Sequence, residues 1–315
     1  MKILANDGIS PAGVEALEAA GHEVILTKVA QEQLENYINS NNVEVLLVRS
    51  ATKVRKDLID ATNLKIIGRG GVGMDNIDVE YAKSKGIHVI NTPAASSDSV
   101  AELVIAHVLA GFRFLHQSNR DMPLEGESNF KNLKKAYAAG TELKGKTMGI
   151  VGIGRIGQAV AKRAIGIGMK VVVHDKFAEN VSVKLDFYDG QELEFKLKSV
   201  SFDELLAQSD VITFHVPAQK SYILGQGEIT KMKDGAAVVN TARGGVLDEK
   251  AVLAALESKK LRFAALDVFE NEPTPEVKLL MQRDLSLSPH IGGATIEAQS
   301  RIGTELAEQI IELSK

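Results

Sequence analysis

The sequence predicts an α/β protein of two doubly wound parallel-sheet domains, one inserted in the other. Three observations predict it. Short apolar strands alternate with amphipathic helices along most of the chain, which is the pattern of successive βαβ units. A polar stretch at 118–145 separates two such blocks. The second block opens on a strand, a glycine-rich turn and a helix, Gly149-Ile150-Val151-Gly152-Ile153-Gly154-Arg155-Ile156-Gly157. The 315 residues also suit two domains at about 150 residues each.

In the first block, strands are expected at Lys2–Ala5, Glu23–Leu26, Glu44–Val48, Lys65–Gly68 and His88–Ile90. Helices are expected between them at Ala12–Ala19, Gln31–Ile38, Lys56–Ala61 and Val79–Ser84. A long helix should follow from about 97 to 117, and 118–145 reads as an irregular loop rich in Lys, Gly and Asn. In the second block, strands are expected at Thr147–Val151, Lys170–His174, Val211–Phe214, Ala236–Asn240 and Phe263–Leu266. Helices near Ile156–Gly166, Phe202–Gln208, Gly227–Met232 and Glu249–Glu257 connect them. One segment breaks the rhythm. Alternating residues around Asp189-Gly190 predict a surface hairpin over Val183–Val200. A helix should close the chain over Thr295–Leu313. The expected boundaries are 1–94 plus 286–315 for one domain and 95–285 for the inserted one.

Composition narrows the partners. The net charge is −4 and the hydrophobic fraction 44%, which argues against a nucleic-acid groove or an anionic membrane as partner. Cysteine is absent, so disulfides and thiolate chemistry are excluded. No apolar run reaches the roughly 20 residues of a membrane span, and a cytoplasmic location is expected. Glycine is the abundant type, at 27 residues against 7 prolines.

The glycines at 152, 154 and 157 have separate tasks if the strand–turn–helix context holds. Gly152 makes the tight turn, Gly154 lets the backbone approach a pyrophosphate, and Gly157 lets helix and strand pack closely. The helix N-terminus offers free N–H groups and a positive dipole end to phosphates. Asp175 ends the next strand, where a carboxylate hydrogen-bonds the adenosine ribose. Its charge would repel a 2′-phosphate, which favours NAD over NADP.

Three more segments follow strands at their carboxyl ends, where ligands bind in open α/β sheets. They are Asn240-Thr241-Ala242-Arg243-Gly244-Gly245, Leu266-Asp267-Val268-Phe269-Glu270-Asn271-Glu272-Pro273 and Ser288-Pro289-His290-Ile291-Gly292-Gly293. Together they offer an arginine, a glutamate and a histidine. Oxidation of a hydroxy acid needs these types: a cation for the carboxylate and reacting oxygen, an imidazole to move the hydroxyl proton, and a carboxylate to hold the imidazole.

At this point the sequence resembles the D-2-hydroxyacid dehydrogenases, and within them the members that oxidise D-3-phosphoglycerate. The resemblance runs through Arg49-Ser50-Ala51-Thr52-Lys53-Val54, Gly68-Arg69-Gly70-Gly71-Val72-Gly73-Met74-Asp75-Asn76-Ile77-Asp78, Asn91-Thr92-Pro93, Gly140-Thr141-Glu142-Leu143, the glycine fingerprint, Ala242-Arg243-Gly244-Gly245 and Ser288-Pro289-His290. It implies two Rossmann-like domains and a catalytic set of Arg243, Glu272 and His290, with His290 as general acid/base. It implies NAD contacts at Gly152, Gly154, Arg155, Ile156, Gly157, Asp175, His215, Val216, Pro217, Thr241, Ala242, Arg243, Asp267, His290 and Gly292. Substrate contacts are implied at Arg49, Ser50, Arg69, Gly70, Gly71, Gly73 and Asn76, with the two arginines at the phosphate end. Lys134 or Lys135 could add to these.

The implied reaction is oxidation of D-3-phosphoglycerate, the first step of the phosphorylated route to serine. No metal is needed. A homodimer or higher homo-oligomer is implied, with the helix at 97–117 as a dimer element. Some members carry a C-terminal regulatory domain, and a short form lacking it is expected here. Glyoxylate/hydroxypyruvate reductase, D-lactate dehydrogenase and an NAD-sensing corepressor scaffold remain the alternatives. The remaining histidines His22, His88, His107, His116 and His174 read as structural.

Overall fold

The computed structural model describes residues 1–315. The chain divides into two compact units, Met1–Ser99 with Gly293–Lys315, and Val100–Gly292.

The first unit is a five-stranded parallel sheet. Its strands are β1 (Lys2–Ala5), β2 (Glu23–Ile25), β3 (Val45–Val48), β4 (Ile66–Arg69) and β5 (His88–Asn91), in the order β2-β1-β3-β4-β5. All four residues of β3 are buried. A central parallel strand covered on both faces must read as a continuous apolar run, and Val45-Leu46-Leu47-Val48 does. Helix α1 (Pro11–Ala19) begins where Ser10 accepts the Gly13 N–H, with Pro11 in the first turn, a position where its missing N–H costs nothing. Helices α2 (Leu34–Ser40), α3 (Lys56–Asp60) and α4 (Val79–Ser84) follow. The closing helix, Ile296–Leu313, is capped by Thr295. It buries Ala307 and Ile310 in a cluster with Leu17, Ile3, Val45, Leu47 and Ile66. A C-terminal segment thereby completes a core begun at the N-terminus.

The second unit starts within α5 (Ser97–Phe112), at Val100, and continues into α6 (Leu115–Ala136). A six-stranded parallel sheet follows, from β6 (Thr147–Val151) and β7 (Lys170–His174), through the hairpin β8 (Asn180–Asp186) and β9 (Glu192–Lys198), to β10 (Val211–Phe214), β11 (Ala236–Asn240), β12 (Leu261–Leu266) and β13 (Leu285–Leu287). Its order is β13-β12-β11-β10-β6-β7. Helices α7 (Arg155–Gly166), α8 (Phe202–Gln208), α9 (Gln226–Lys231), α10 (Glu249–Glu257) and α11 (Val277–Leu280) connect the strands. Two apolar clusters fill the unit, one around Phe214, Leu253 and Leu266, the other around Phe112, Val160 and Phe263. No single helix is long and apolar enough to cross a membrane.

Three sequence expectations change. The segment 118–145 is largely helical, because α6 runs to Ala136. Its polar composition, with Pro123 and Gly126 inside, hides the helix. Buried Leu133 and polar anchors hold it in place: Gln117 to Asp284 at 3.0 Å, and Asp121 to Arg283 at 2.6 Å and to Tyr137. The helix expected at 97–117 breaks at Phe114, which takes the left-handed conformation with φ 55°. The third change concerns β13, whose three residues carry too little pattern to be read. It pairs with β12, so residues 286–292 stay with the second unit, and the seams fall at 99/100 and 292/293 rather than 94/95 and 285/286.

The hairpin begins three residues before the expected position and turns at Asp189-Gly190, with Gly190 at φ 84°. The cross-strand pairs Val181–Leu197, Val183–Phe195 and Leu185–Leu193 share one face, and Val183 is fully buried in the core of the second unit. Val183→Ala should therefore lower stability by roughly 1–3 kcal/mol, read as a lower urea midpoint. An unchanged midpoint would show the hairpin to be detached from that core.

Candidate active site

Parallel strands present all their carboxyl ends at one edge of the sheet. In the second unit, six strands deliver Gly152, Asp175, His215, Thr241, Asp267 and Ser288 directly after those ends. At Gly152 the chain leaves β6 with φ 89°, and a Cβ there would lie 2.4 Å from the His215 carbonyl oxygen. A Cβ on Gly157 would lie 2.1 Å from the Gly152 carbonyl oxygen. The turn thus rests on backbone-to-backbone contact that only glycine permits. Gly154 is the opposite case, exposed with open space around its Cβ position. Arg155 and Ile156 begin α7 beside it.

Asp175 accepts three backbone N–H groups, Ile153 at 2.8 Å, Phe177 at 2.8 Å and Ala178 at 3.1 Å. Burial opposes its ionisation, but these donors outweigh burial and hold the carboxyl below the usual carboxylate range. Ser199, at the return of the hairpin, accepts the Asp175 N–H at 2.9 Å. The hairpin therefore re-enters beside β7 and fixes the backbone of Asp175.

Across the edge, part of His215 reaches the surface, yet its ring packs against Thr213, with Nε2 3.0 Å from Oγ1. Burial pushes its pKa down to about 3. Val216 is half-buried and Pro217 exposed. After β11, Asn240 braces the turn by accepting the Ala242 N–H at 3.0 Å and donating to the Arg243 carbonyl at 2.9 Å. Arg243 is half-buried and its Nη1 donates to the Ala242 carbonyl at 2.6 Å. The Thr241 hydroxyl is buried without a hydrogen-bond partner.

Glu272 and His290 meet. Glu272 Oε2 lies 2.8 Å from His290 Nδ1, and Oε1 accepts the Phe269 N–H at 2.9 Å. The carboxylate is thereby oriented by backbone and in turn orients the imidazole. With Nδ1 donating to it, the neutral ring presents the Nε2 lone pair. His290 itself sits at φ 55°. Its loop is held by Asp267, which accepts the Ile291 and Gly292 N–H groups, each at 2.8 Å.

The expected substrate residues of the first unit follow β3, or end or follow β4. Arg49 is half-buried, and its N–H donates to Asp7 Oδ2 at 2.7 Å. Burial lowers the pKa of its guanidinium, with Asp7 opposing, and Nε is buried without a partner. Ser50 is exposed and Gly73 half-buried. Arg69 Nη1 donates to the Gly70 carbonyl at 3.3 Å, folded over Gly71, which has φ 143°. Asn76 is committed to bracing, since its amide donates to the carbonyls of Arg49 at 2.7 Å and Thr52 at 2.6 Å. Asp7 was missed from sequence, although it follows the carboxyl end of β1 and the strand-end rule would have found it. Lys134 and Lys135 lie exposed in the last turn of α6, not in a loop.

Residues 105–292 match the model of the D-isomer specific 2-hydroxyacid dehydrogenase NAD-binding domain. The chain is 46% identical over 276 residues to a hydroxypyruvate reductase of Thermotoga maritima, covering 86% of this chain and 84% of that one. It is 42% identical over 318 residues to a D-3-phosphoglycerate dehydrogenase of Methanocaldococcus jannaschii, covering 98% of this chain but only 57% of that protein's length. The crystal structure of a glyoxylate reductase from Paecilomyes thermophila superimposes with a TM-score of 0.83 at 32% identity, covering 100% of this chain and 96% of that one. The chain belongs to the D-2-hydroxyacid dehydrogenase family and takes NAD(H) as cofactor. The open space at Gly154 and the orphaned Thr241 hydroxyl both fit that group.

The buried rings of His107, His116 and His215 all have lowered pKa values. The unfolded chain binds protons at these rings near pH 6.5, and the folded chain only at lower pH. Stability is therefore lost on acidification below that value, because the unfolded state binds more protons. His215→Gln should flatten the dependence of the urea midpoint on pH in this window. An unchanged slope would mean the ring titrates normally in the fold.

Proposed function

We propose that the protein oxidises D-3-phosphoglycerate to 3-phosphohydroxypyruvate. What supports this substrate is Arg49, whose Nε is buried without a protein partner. Arg69 ends the neighbouring strand. A planar guanidinium matches phosphate through paired N–H donors. Arg243 takes the substrate carboxylate and also polarises the C2 oxygen.

Bound NAD supplies the acceptor for the C2 hydride. His290 Nε2 takes the hydroxyl proton as the C2–H bond breaks, and the carbonyl forms. Glu272 stabilises the resulting imidazolium through Nδ1. Asp175 accepts from the ribose hydroxyls and disfavours a 2′-phosphate. In the reverse direction the same ring returns the proton. The exposed apolar residues Leu115, Met122, Leu124 and Phe130 of α6 support a homodimer contact.

The similarity to the Thermotoga protein favours a second reading, reduction of hydroxypyruvate without a phosphate. Initial rates with NADH and 3-phosphohydroxypyruvate, hydroxypyruvate or glyoxylate separate the two. The phosphorylated keto acid should give the highest kcat/KM, and a preference for hydroxypyruvate would overturn the proposal. Arg69→Ala should raise KM for 3-phosphoglycerate while leaving that for hydroxypyruvate near native. Equal effects on both would remove the phosphate assignment. His290→Ala should lose roughly 10²–10⁴-fold in kcat and still bind NADH by fluorescence. A fully active variant would sink the mechanism.

A further inference from the structure

A buried imidazole lies beneath the loop that carries His290. His107, on α5, is 6% exposed. Its Nδ1 lies 2.8 Å from Ser286 Oγ and its Nε2 3.0 Å from Ser288 Oγ. The Ser288 hydroxyl donates to Asp267 Oδ1 at 2.6 Å. Asp267 is 1% exposed and accepts the N–H groups of Ile291 and Gly292, one on each carboxylate oxygen. A continuous line of hydrogen bonds therefore runs from α5 to the backbone on the far side of His290.

Proton bookkeeping gives this line a direction. Ser288 has one O–H, and it is committed to a carboxylate that can only accept. The contact with His107 Nε2 therefore requires a ring N–H at that nitrogen. A neutral ring then carries its lone pair on Nδ1, where it accepts the Ser286 hydroxyl. Burial favours this neutral form, against the pull of Asp267. Each donor in the line polarises the next, which strengthens the series.

We propose that His107 is a positioning residue for His290. Its ring nitrogens bond to the two serines, and it acts through them. Its Nε2–H fixes the Ser288 rotor toward Asp267. That hydroxyl, in turn, fixes the carboxylate as the acceptor of the loop N–H groups. The loop needs such a hold, because His290 sits at φ 55°, a conformation that L-residues other than glycine seldom keep unaided. Glu272 fixes the ring of His290, and the line from His107 fixes its backbone.

The proposal rests on the reading of His290 as the acid/base group. The test compares the native chain with His290→Ala, His107→Leu and His107→Gln, using NADH with 3-phosphohydroxypyruvate and with hydroxypyruvate. His107→Leu should lower kcat roughly ten- to hundredfold while both KM values stay within about twofold. His107→Gln, whose amide N–H reaches toward Ser288, should recover most of the loss. Native kcat in His107→Leu, a loss confined to KM or to the melting temperature, or a glutamine variant no better than leucine would each overturn it. Should the leucine variant fail to fold, Ser286→Ala carries the test. It removes one partner of the ring, so lower kcat at native KM supports the proposal and native kcat overturns it. A fully active His290→Ala removes the underlying reading. An inactive His290→Ala beside a fully active His107→Leu removes this inference alone.

Discussion

The backbone leaves a parallel strand with N–H groups that no neighbouring strand can take, and buried donors must find acceptors. This protein meets that constraint with side chains at the strand ends. Asp7 takes the N–H groups of Arg49 and Thr52, Asp175 those of Ile153, Phe177 and Ala178, and Asp267 those of Ile291 and Gly292. Glu272 takes that of Phe269, and Asn240 that of Ala242. The polar groups that close the turns are thus the ones that aim the candidate site. In the proposed mechanism Asp175 and Glu272 serve both chemistry and architecture, so a change at either acts on both.

His290 shows the consequence most directly. Its ring is fixed from one side by Glu272 and its flanking backbone from the other by Asp267. Neither hold depends on the ring's second nitrogen. In the proposed mechanism that nitrogen exchanges the hydroxyl proton while bound NAD takes the hydride. Arg243 sits in a turn that Asn240 braces on both sides, and its head donates to the Ala242 carbonyl.

Much of the second unit was legible in the sequence because its signals are local. A strand, a glycine turn and a helix in one run can be read without tertiary information, and β6, Gly152 and α7 follow that reading closely. The strand-end rule likewise located Asp175, Arg243 and Asp267. What resisted reading depends on distant contacts. Helix α6 is polar over most of its length and is held by Asp284, Arg283 and Tyr137 rather than by an apolar stripe. Strand β13 has three residues, and only its pairing with β12 defines it. Asn76 has the chemistry of a ligand-binding amide, yet the turn beside it consumes both donors. His107 read as an ordinary core histidine, because nothing near it in sequence shows that Ser286 and Ser288 lie against its ring.

In the proposed mechanism Glu272 takes the Nδ1 proton of His290 and leaves Nε2 free to exchange a proton. Nitrogen NMR of the selectively labelled imidazole, recorded where the ring is neutral, reads this tautomer. The expected result is the Nδ1–H tautomer in the native chain, lost as the dominant form in Glu272→Ala. An Nε2–H tautomer in the native chain would contradict it, because that ring could not accept the hydroxyl proton in the arrangement described.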